Sequence, residues 1–297
     1  MTHEFDLDRA EVRDSFSRAA RSYDAAAVLQ SRVRGELIER LDLVRLDPQV
    51  VLDLGAGTGH AASALKRRYR RAHVLALDLS EAMLREAGRQ RGWFTRFDRV
   101  GADAAALPIR SGSVDLVYSN LMLQWCMDPD QVFRECRRIL KPGGLLTFAT
   151  LGPDTLIELR RAWQAADPAH VHVNRFLDMH DLGDGLIRAG LAEPVLDVER
   201  CTLTYEDVRD LMQDLKSIGA HNVASGRARG LTGRRTLAAM RAAYESYRRA
   251  DGQLPATYEV VFGHAWAPTG AGCERGAPPG VTRVPITGIG RRTPVKP

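Results

Sequence analysis

Apolar positions change period along the chain, and the changes divide it. Between residues 10 and 45, Val12, Phe16, Ala19, Ala20 and Tyr23 recur at three- and four-residue steps, and Val33, Leu37, Leu41 and Val44 repeat the pattern. That spacing predicts helices, closed by a turn at Asp47-Pro48. From 49 to 150, short apolar runs alternate with helical ones. The runs predict strands at 50–54, 73–77, 97–101, 114–119 and 145–149, and helices at 59–70, 80–89 with Ser80 as N-cap, and 129–140. A turn at Lys141-Pro142-Gly143-Gly144 follows the last helix. Strict alternation implies right-handed crossovers and a mainly parallel sheet with helices on both faces, an α/β class whose ligands sit at the carboxyl ends of the strands. After 150 the rhythm breaks. Helical patterns at about 153–166, 179–189, 205–218 and 233–249 surround two further strand-like segments, 194–203 and 257–266. The chain thus divides into a helical cap (1–48), an α/β domain (49–267) with helical insertions at about 151–178 and 204–252, and a segment after Ala267. That segment, with six prolines and six glycines in thirty residues, is expected to be a disordered tail.

Composition narrows the classes. The 297 residues are 44% hydrophobic and 27% charged, a globular balance. No apolar run reaches membrane-spanning length, and the charged start MTHEFDLDRAEVRD predicts no secretory signal, so a cytoplasmic protein is expected. Cys126, Cys136, Cys201 and Cys273 match neither a zinc site nor a disulfide framework and read as reduced thiols. The net charge of +5 raises the question of nucleic acid, but 38 of the 42 basic residues are arginine, a bias of the kind a GC-rich genome produces, and the excess is local. Residues 217–297 hold twelve basic and four acidic side chains, so an acidic partner would dock on the C-terminal third.

The most informative segment is Asp53-Leu54-Gly55-Ala56-Gly57-Thr58-Gly59-His60, where a strand runs through a glycine-rich turn into a helix. Gly55, Gly57 and Gly59 permit a sharp turn and a close ligand approach, although a plain tight turn needs glycine too. A dinucleotide fingerprint would want glycine or alanine where His60 stands. Asp53 would repel a pyrophosphate and attract a cationic amino group. A ligand with an amino-acid end and no phosphate fits better, which points to S-adenosylmethionine. At the next strand tip Asp78 is placed to grip two ribose hydroxyls. Asp103, followed by Ala104, is placed to accept from an adenine amine, and Leu79 and Met83 could flank the ring or belong to the core.

Asp53-to-Gly59, Asp78, Asp103 with Leu107-Pro108, Asp115-to-Asn120 and Leu140-to-Gly144 together resemble the successive motifs of class I S-adenosylmethionine-dependent methyltransferases. The resemblance implies a Rossmann-like, seven-stranded sheet, with Asn120 and Leu121 facing the methionine portion of the cofactor. The flanks Phe16-to-Asp24, Leu29-Gln30, Ser119-to-Trp125, Arg175-to-Asp181 and Asp214-to-Asn222 resemble the malonyl-acyl-carrier-protein O-methyltransferases of biotin synthesis, the BioC family, over about residues 10–267. This implies methyl transfer to the free carboxylate of a malonyl thioester, carried by acyl-carrier protein or coenzyme A. That carboxylate is already ionised at neutral pH, so neither a catalytic base nor a metal is expected.

For the substrate, Arg175 is expected to orient the carboxylate, with His180 or the Gln124-Trp125 pair completing the pocket and Tyr23 closing over the cofactor. His221 reads as an ordinary histidine. Arg227, Arg229, Arg234, Arg235, Arg241, Arg248 and Arg249 form either a solvated face or a landing site for an acidic carrier protein. Two other readings stay open: a methyltransferase for another small acid or quinone precursor, and an assembly-factor protein, either an arginine hydroxylase or a non-catalytic adenosylmethionine binder.

Overall fold

The computed structural model describes residues 7–90, 92–220, 222 and 232–269. Seven strands form one sheet: β1 (Val50–Leu54), β2 (His73–Asp78), β3 (Asp98–Gly101), β4 (Val114–Asn120), β5 (Leu140–Leu151), β6 (Ala192–Tyr205) and β7 (Leu254–Trp266). Their order is β3-β2-β1-β4-β5-β7-β6, with β1 to β5 parallel and β7 antiparallel to both neighbours. The sheet expected from the alternating pattern is therefore present. Its order reverses between β1 and β4, which opens a crevice at their carboxyl ends.

Side-chain alternation feeds two cores, one on each face. Val51, Leu116 and Leu145 point to one face, where they join Val33 and Leu37 of α3 (Val28–Arg40), Leu65 of α4 (His60–Arg68), Leu159 of α7 (Ile157–Ala166) and Tyr244 of α10 (Arg234–Glu245). Leu52, Val117 and Leu146 point to the other, against Phe133 and Ile139 of α6 (Pro129–Ile139) and Leu182 and Leu186 of α8 (Met179–Arg188). Among the described residues the remaining α-helices are α1 (Arg9–Ala19), α2 (Tyr23–Ala26), α5 (Glu81–Arg89) and α9 (Val208–Ser217).

Two local expectations are corrected. The segment Lys141-Pro142-Gly143-Gly144 is not a turn before a strand but part of β5. Leu140 pairs with Val114 and Leu145 with Leu116, so the extra residues bulge out of the ladder. Gly143, at φ +76°, donates to the Ala267 carbonyl at 2.8 Å. The bulge is anchored by Lys141 Nζ, which binds Asp115 at 2.8 and 2.9 Å, while the same carboxylate accepts from the N–H groups of Gln49 and Val50. The last two strands are also longer than their apolar cores indicated, because β6 and β7 pair continuously from Tyr205–Leu254 back to Val195–His264. From residue 270 on, the expected tail, together with Cys273, lies outside the described residues.

Candidate functional site

The glycine turn is built by its backbone. Gly55 and Ala56 N–H both donate to the Leu77 carbonyl, at 2.8 and 2.9 Å, tying the turn to β2. Gly55, Gly57 and Gly59 all have positive φ, +78°, +52° and +82°. Gly59 caps α4 from behind, where a Cβ would stand 2.8 Å from the Ala87 Cβ. Gly57 is the opposite case, since a Cβ there would meet nothing within 4 Å. Its backbone borders open space.

Asp78 ends β2 on the rim of that space. Its Oδ2 accepts from Gly57 N–H and its Oδ1 from Ser80 N–H, both at 2.8 Å. Burial raises its pKa, against the pull of those N–H donors. Asp53 lies behind the turn, 1% exposed, with Oδ2 buried and unpartnered. Burial pushes it up to about 7, opposed by the Ala62 N–H and reinforced by the charge of Asp78.

A cavity of about 320 Å³ lies against this turn. It is bordered by Gly55, Gly57, Asp78, Leu79, Met83, Asp103, Ala104, Asn120 and Leu121, so nine positions singled out from sequence converge on one chamber. Gly59 and Asp53 support it from behind. Three polar links hold the N-terminal helices across the strand tips. Arg9 pairs with Asp103 at 2.6 Å, Ser17 and Ser80 share a hydrogen bond of 2.8 Å, and Asp24 accepts from Thr58 at 2.6 Å while facing His60 Nε2 at 3.0 Å. Asp103 is therefore already engaged by a guanidinium on one side, and its Oδ1 also accepts from Ala105 N–H.

A second cavity, about 540 Å³ and mostly apolar, abuts the first. Phe16, Tyr23, Leu121 and Trp125 border both. Phe16 meets Trp125 edge to face at 5.1 Å, and Leu121 is held at φ +53°, a conformation that costs a leucine roughly 1–2 kcal/mol. Gln124 faces the larger cavity with its amide fixed at both ends: Nε2 donates to the Leu121 carbonyl at 2.8 Å and Oε1 accepts from Thr150 at 3.1 Å. Burial, followed by the nearby charges of Asp78 and Asp24, drives the Tyr23 phenol far above its ordinary pKa, so it stays protonated.

Two expected substrate residues are not brought here. The His180 side chain is 85% exposed and its Nδ1 folds back 2.7 Å from Asp178, the residue that caps α8. Arg175 is exposed and borders a separate shallow cleft, because the chain passes between the two spaces with Val173 and Asn174 turned inward. Asn174, Phe176 and Gln30 border the larger cavity instead, with Gln30 Oε1 and Asn174 Oδ1 buried and unpartnered. Sequence reasoning gives neither a role, although Gln30 stands in the Leu29-Gln30 flank, and Asn174 carries no signal beyond a lone amide beside apolar neighbours. Of the basic set, His221, Arg227 and Arg229 lie outside the described residues. Arg241 pairs with Asp207 at 2.9 Å and Arg248 with Glu245 at 2.7 Å. Arg234 and Arg235 occupy the exposed first turn of α10, a turn without an acidic residue, where the helix dipole disfavours cations. No helix among the described residues is long and apolar enough to cross a membrane.

A family model described as a methyltransferase domain matches residues 52–148. A malonyl-acyl-carrier-protein O-methyltransferase of Methylovorus sp. (strain MP688) is 58% identical over 268 residues, spanning 88% of this chain and 90% of the relative. Its counterpart in Laribacter hongkongensis (strain HLHK9) is 54% identical, spanning 90% and 92%. Among solved structures, a Bacillus halodurans protein superposes with a TM-score of 0.57 at 20% identity, covering 80% of this chain and 99% of that one. A Haemonchus contortus phosphoethanolamine N-methyltransferase 2 in complex with S-adenosyl-L-methionine gives 0.55 at 18%, covering 86% and 60%. At such identities the structural matches speak for the fold.

Proposed function

The chain belongs to the malonyl-acyl-carrier-protein O-methyltransferases, S-adenosylmethionine-dependent enzymes of the class I fold, and from that membership we propose that it methylates the free carboxylate of a malonyl thioester, with the smaller cavity holding the cofactor and the larger one the acyl group. The observation that supports this division of labour is the wall of Phe16, Tyr23, Leu121 and Trp125 common to both chambers, across which a donor and an acceptor would meet. The methyl ester formed loses the terminal charge, as a primer for pimeloyl synthesis in the biotin pathway requires.

The residues fit the cofactor on three counts. Space over Gly57 admits a ligand against the backbone, Asp78 offers a fixed carboxylate to a ribose diol, and the buried Asp53 offers negative charge to an ammonium. Leu79 and Met83 supply apolar faces for the adenine, and Asn120 and Leu121 border the amino-acid end. Bound S-adenosylmethionine supplies an electrophilic methyl on a sulfonium. The chain's own part is placement. A malonyl carboxylate is ionised at neutral pH, so no residue needs to take a proton. The fixed Gln124 amide and the protonated Tyr23 hydroxyl lie where they can align a carboxylate, and the aromatic wall keeps water from competing. Incubation with malonyl-carrier protein and adenosylmethionine tests the reading: mass spectrometry should find one added methylene on the acyl group, removed by ester hydrolysis. Methylation of some other acid in its place would overturn it.

Asp53 makes cofactor affinity depend on pH. Its pKa, raised to about 7, exceeds the roughly 4 of an unfolded aspartate, so the ligand-free protein loses stability as pH rises between those values. An adjacent ammonium favours the ionised form, so binding releases a proton and tightens with pH. Calorimetry from about pH 5.5 to 7 should find adenosylmethionine binding up to about tenfold tighter per unit, and Asp53→Asn should flatten the slope. A flat profile in the parent chain would place the ammonium elsewhere.

The carrier protein is proposed to land on the first turn of α10. Arg234→Glu with Arg235→Glu should raise KM for malonyl-carrier protein on the order of tenfold while sparing malonyl-coenzyme A, because only the former brings an acidic surface. Equal effects on both substrates would remove the docking site.

A further inference from the structure

The wall of the larger cavity carries two polar groups that a malonyl group leaves unexplained. Gln124 on that wall is satisfied at both ends of its amide, by the Leu121 carbonyl at 2.8 Å and by Thr150 at 3.1 Å. Gln30 and Asn174 differ. Gln30 Oε1 and Asn174 Oδ1 are buried without a hydrogen-bond partner, and Asn174 as a whole is 7% exposed. The two residues come from separate parts of the chain. Gln30 stands in the first turn of α3, and its backbone carbonyl accepts from Asn120 Nδ2 at 3.2 Å, which ties that turn to the end of β4. Asn174 lies in the irregular segment between α7 and α8, beside the buried Val173. Around them the cavity wall is apolar, with Leu151, Leu156, Leu159 and Met212.

A buried amide oxygen without a donor costs about 1–3 kcal/mol. The last torsion of an asparagine or glutamine side chain is soft, so a modest rotation turns such an oxygen toward a donor placed in the cavity. Sign decides what that donor is. A carbonyl oxygen repels a carboxylate, so neither residue suits the charged end of a malonyl group, and an ionised malonyl group has no N–H or O–H to offer. A malonyl group is also far too small to fill a cavity of about 540 Å³. What it is attached to does carry donors. The pantetheine arm common to carrier-protein and coenzyme A thioesters holds two secondary amides, separated by methylenes that suit an apolar wall.

We propose that Gln30 and Asn174 accept the amide N–H groups of the pantetheine arm, so that the larger cavity grips the arm and leaves the malonyl carboxylate at the wall common to both chambers. This rests on the malonyl-thioester reading above. Free malonate and other small diacids have no such arm, so the two amides select the thioester over the acid. They serve carrier-linked and coenzyme A-linked substrates equally, whereas the α10 surface concerns the carrier protein alone.

Two minimal substrates of the same shape test it. One is the malonyl thioester of N-acetylcysteamine, which keeps the amide nearest the sulfur, and the other is the malonyl thioester of 2-mercaptoethyl acetate, in which an ester oxygen replaces that N–H. The parent enzyme should show a KM on the order of tenfold lower for the amide. Gln30→Met with Asn174→Leu keeps the side-chain volumes close and removes oxygens that have no partner to lose, so the fold is at little risk. This double variant should bring the ratio of the two KM values close to one, and the loss on the amide substrate should fall in KM rather than kcat. Equal KM values for the two compounds in the parent enzyme, a comparison that needs no variant, would overturn the arm site. An unchanged ratio in the double variant would overturn it too. Either result leaves methyl transfer to malonyl-carrier protein standing, while failure to methylate malonyl-carrier protein would remove that reading and this one with it.

Discussion

Asp78→Ala should bind adenosylhomocysteine on the order of a hundredfold more weakly than the parent chain in calorimetry, with its far-UV dichroism unchanged. The size follows from what the carboxylate does. Each oxygen already accepts one backbone N–H, from Gly57 and from Ser80, which fixes the plane of the group and leaves its remaining lone pairs for a ligand. Two charge-assisted hydrogen bonds to a diol would be lost together, and the Gly57 N–H would lose the partner that shapes the turn. The fold should survive, because β2 is held by β1 and β3 along its length and the side chain is only partly covered. A loss smaller than about threefold would show that the ribose is not held there.

Gly59→Val should lose about 3 kcal/mol of stability in urea unfolding, whereas Gly57→Val should lose far less stability and most of its cofactor affinity. Both residues have positive φ, so both substitutions strain the backbone. They differ in what a side chain would meet. At Gly59 a Cβ would press on Ala87 and on the Phe97 ring, the packing between α4 and α5, and overpacking adds to the strain. At Gly57 a side chain would project into open space, so it would obstruct the ligand rather than the core. If the two variants unfolded at the same urea concentration, the space above Gly57 would not be the ligand's.

What could be read from the sequence was what is encoded locally. The run from Asp53 to His60 and the tip at Asp78 owe their place at the crevice to a few residues at a strand end, and the parallel sheet brings such ends together wherever the order reverses. Arg175 and His180 stand apart from the two chambers for a different reason. Their place depends on how an irregular segment threads between two cavities, and on a histidine that folds back onto its own helix cap, neither of which has a periodic signature. The Lys141–Gly144 segment has turn composition, yet Lys141 draws it into β5 through Asp115, a partner 26 residues away. The links from Asp24 to Thr58 and from Ser17 to Ser80 were equally hidden, since they join short polar side chains across spans of 34 and 63 residues.

Those same links bear on kinetics. Arg9, Ser17 and Asp24 fasten the first two helices over the strand tips, and Phe16 and Tyr23 hang from that roof into both chambers. On the proposed division of the two chambers, lifting that roof to exchange nucleoside would open one side of the acyl chamber as well. Initial-rate kinetics should then show an ordered sequence, with adenosylmethionine binding before the thioester and the spent nucleoside leaving last.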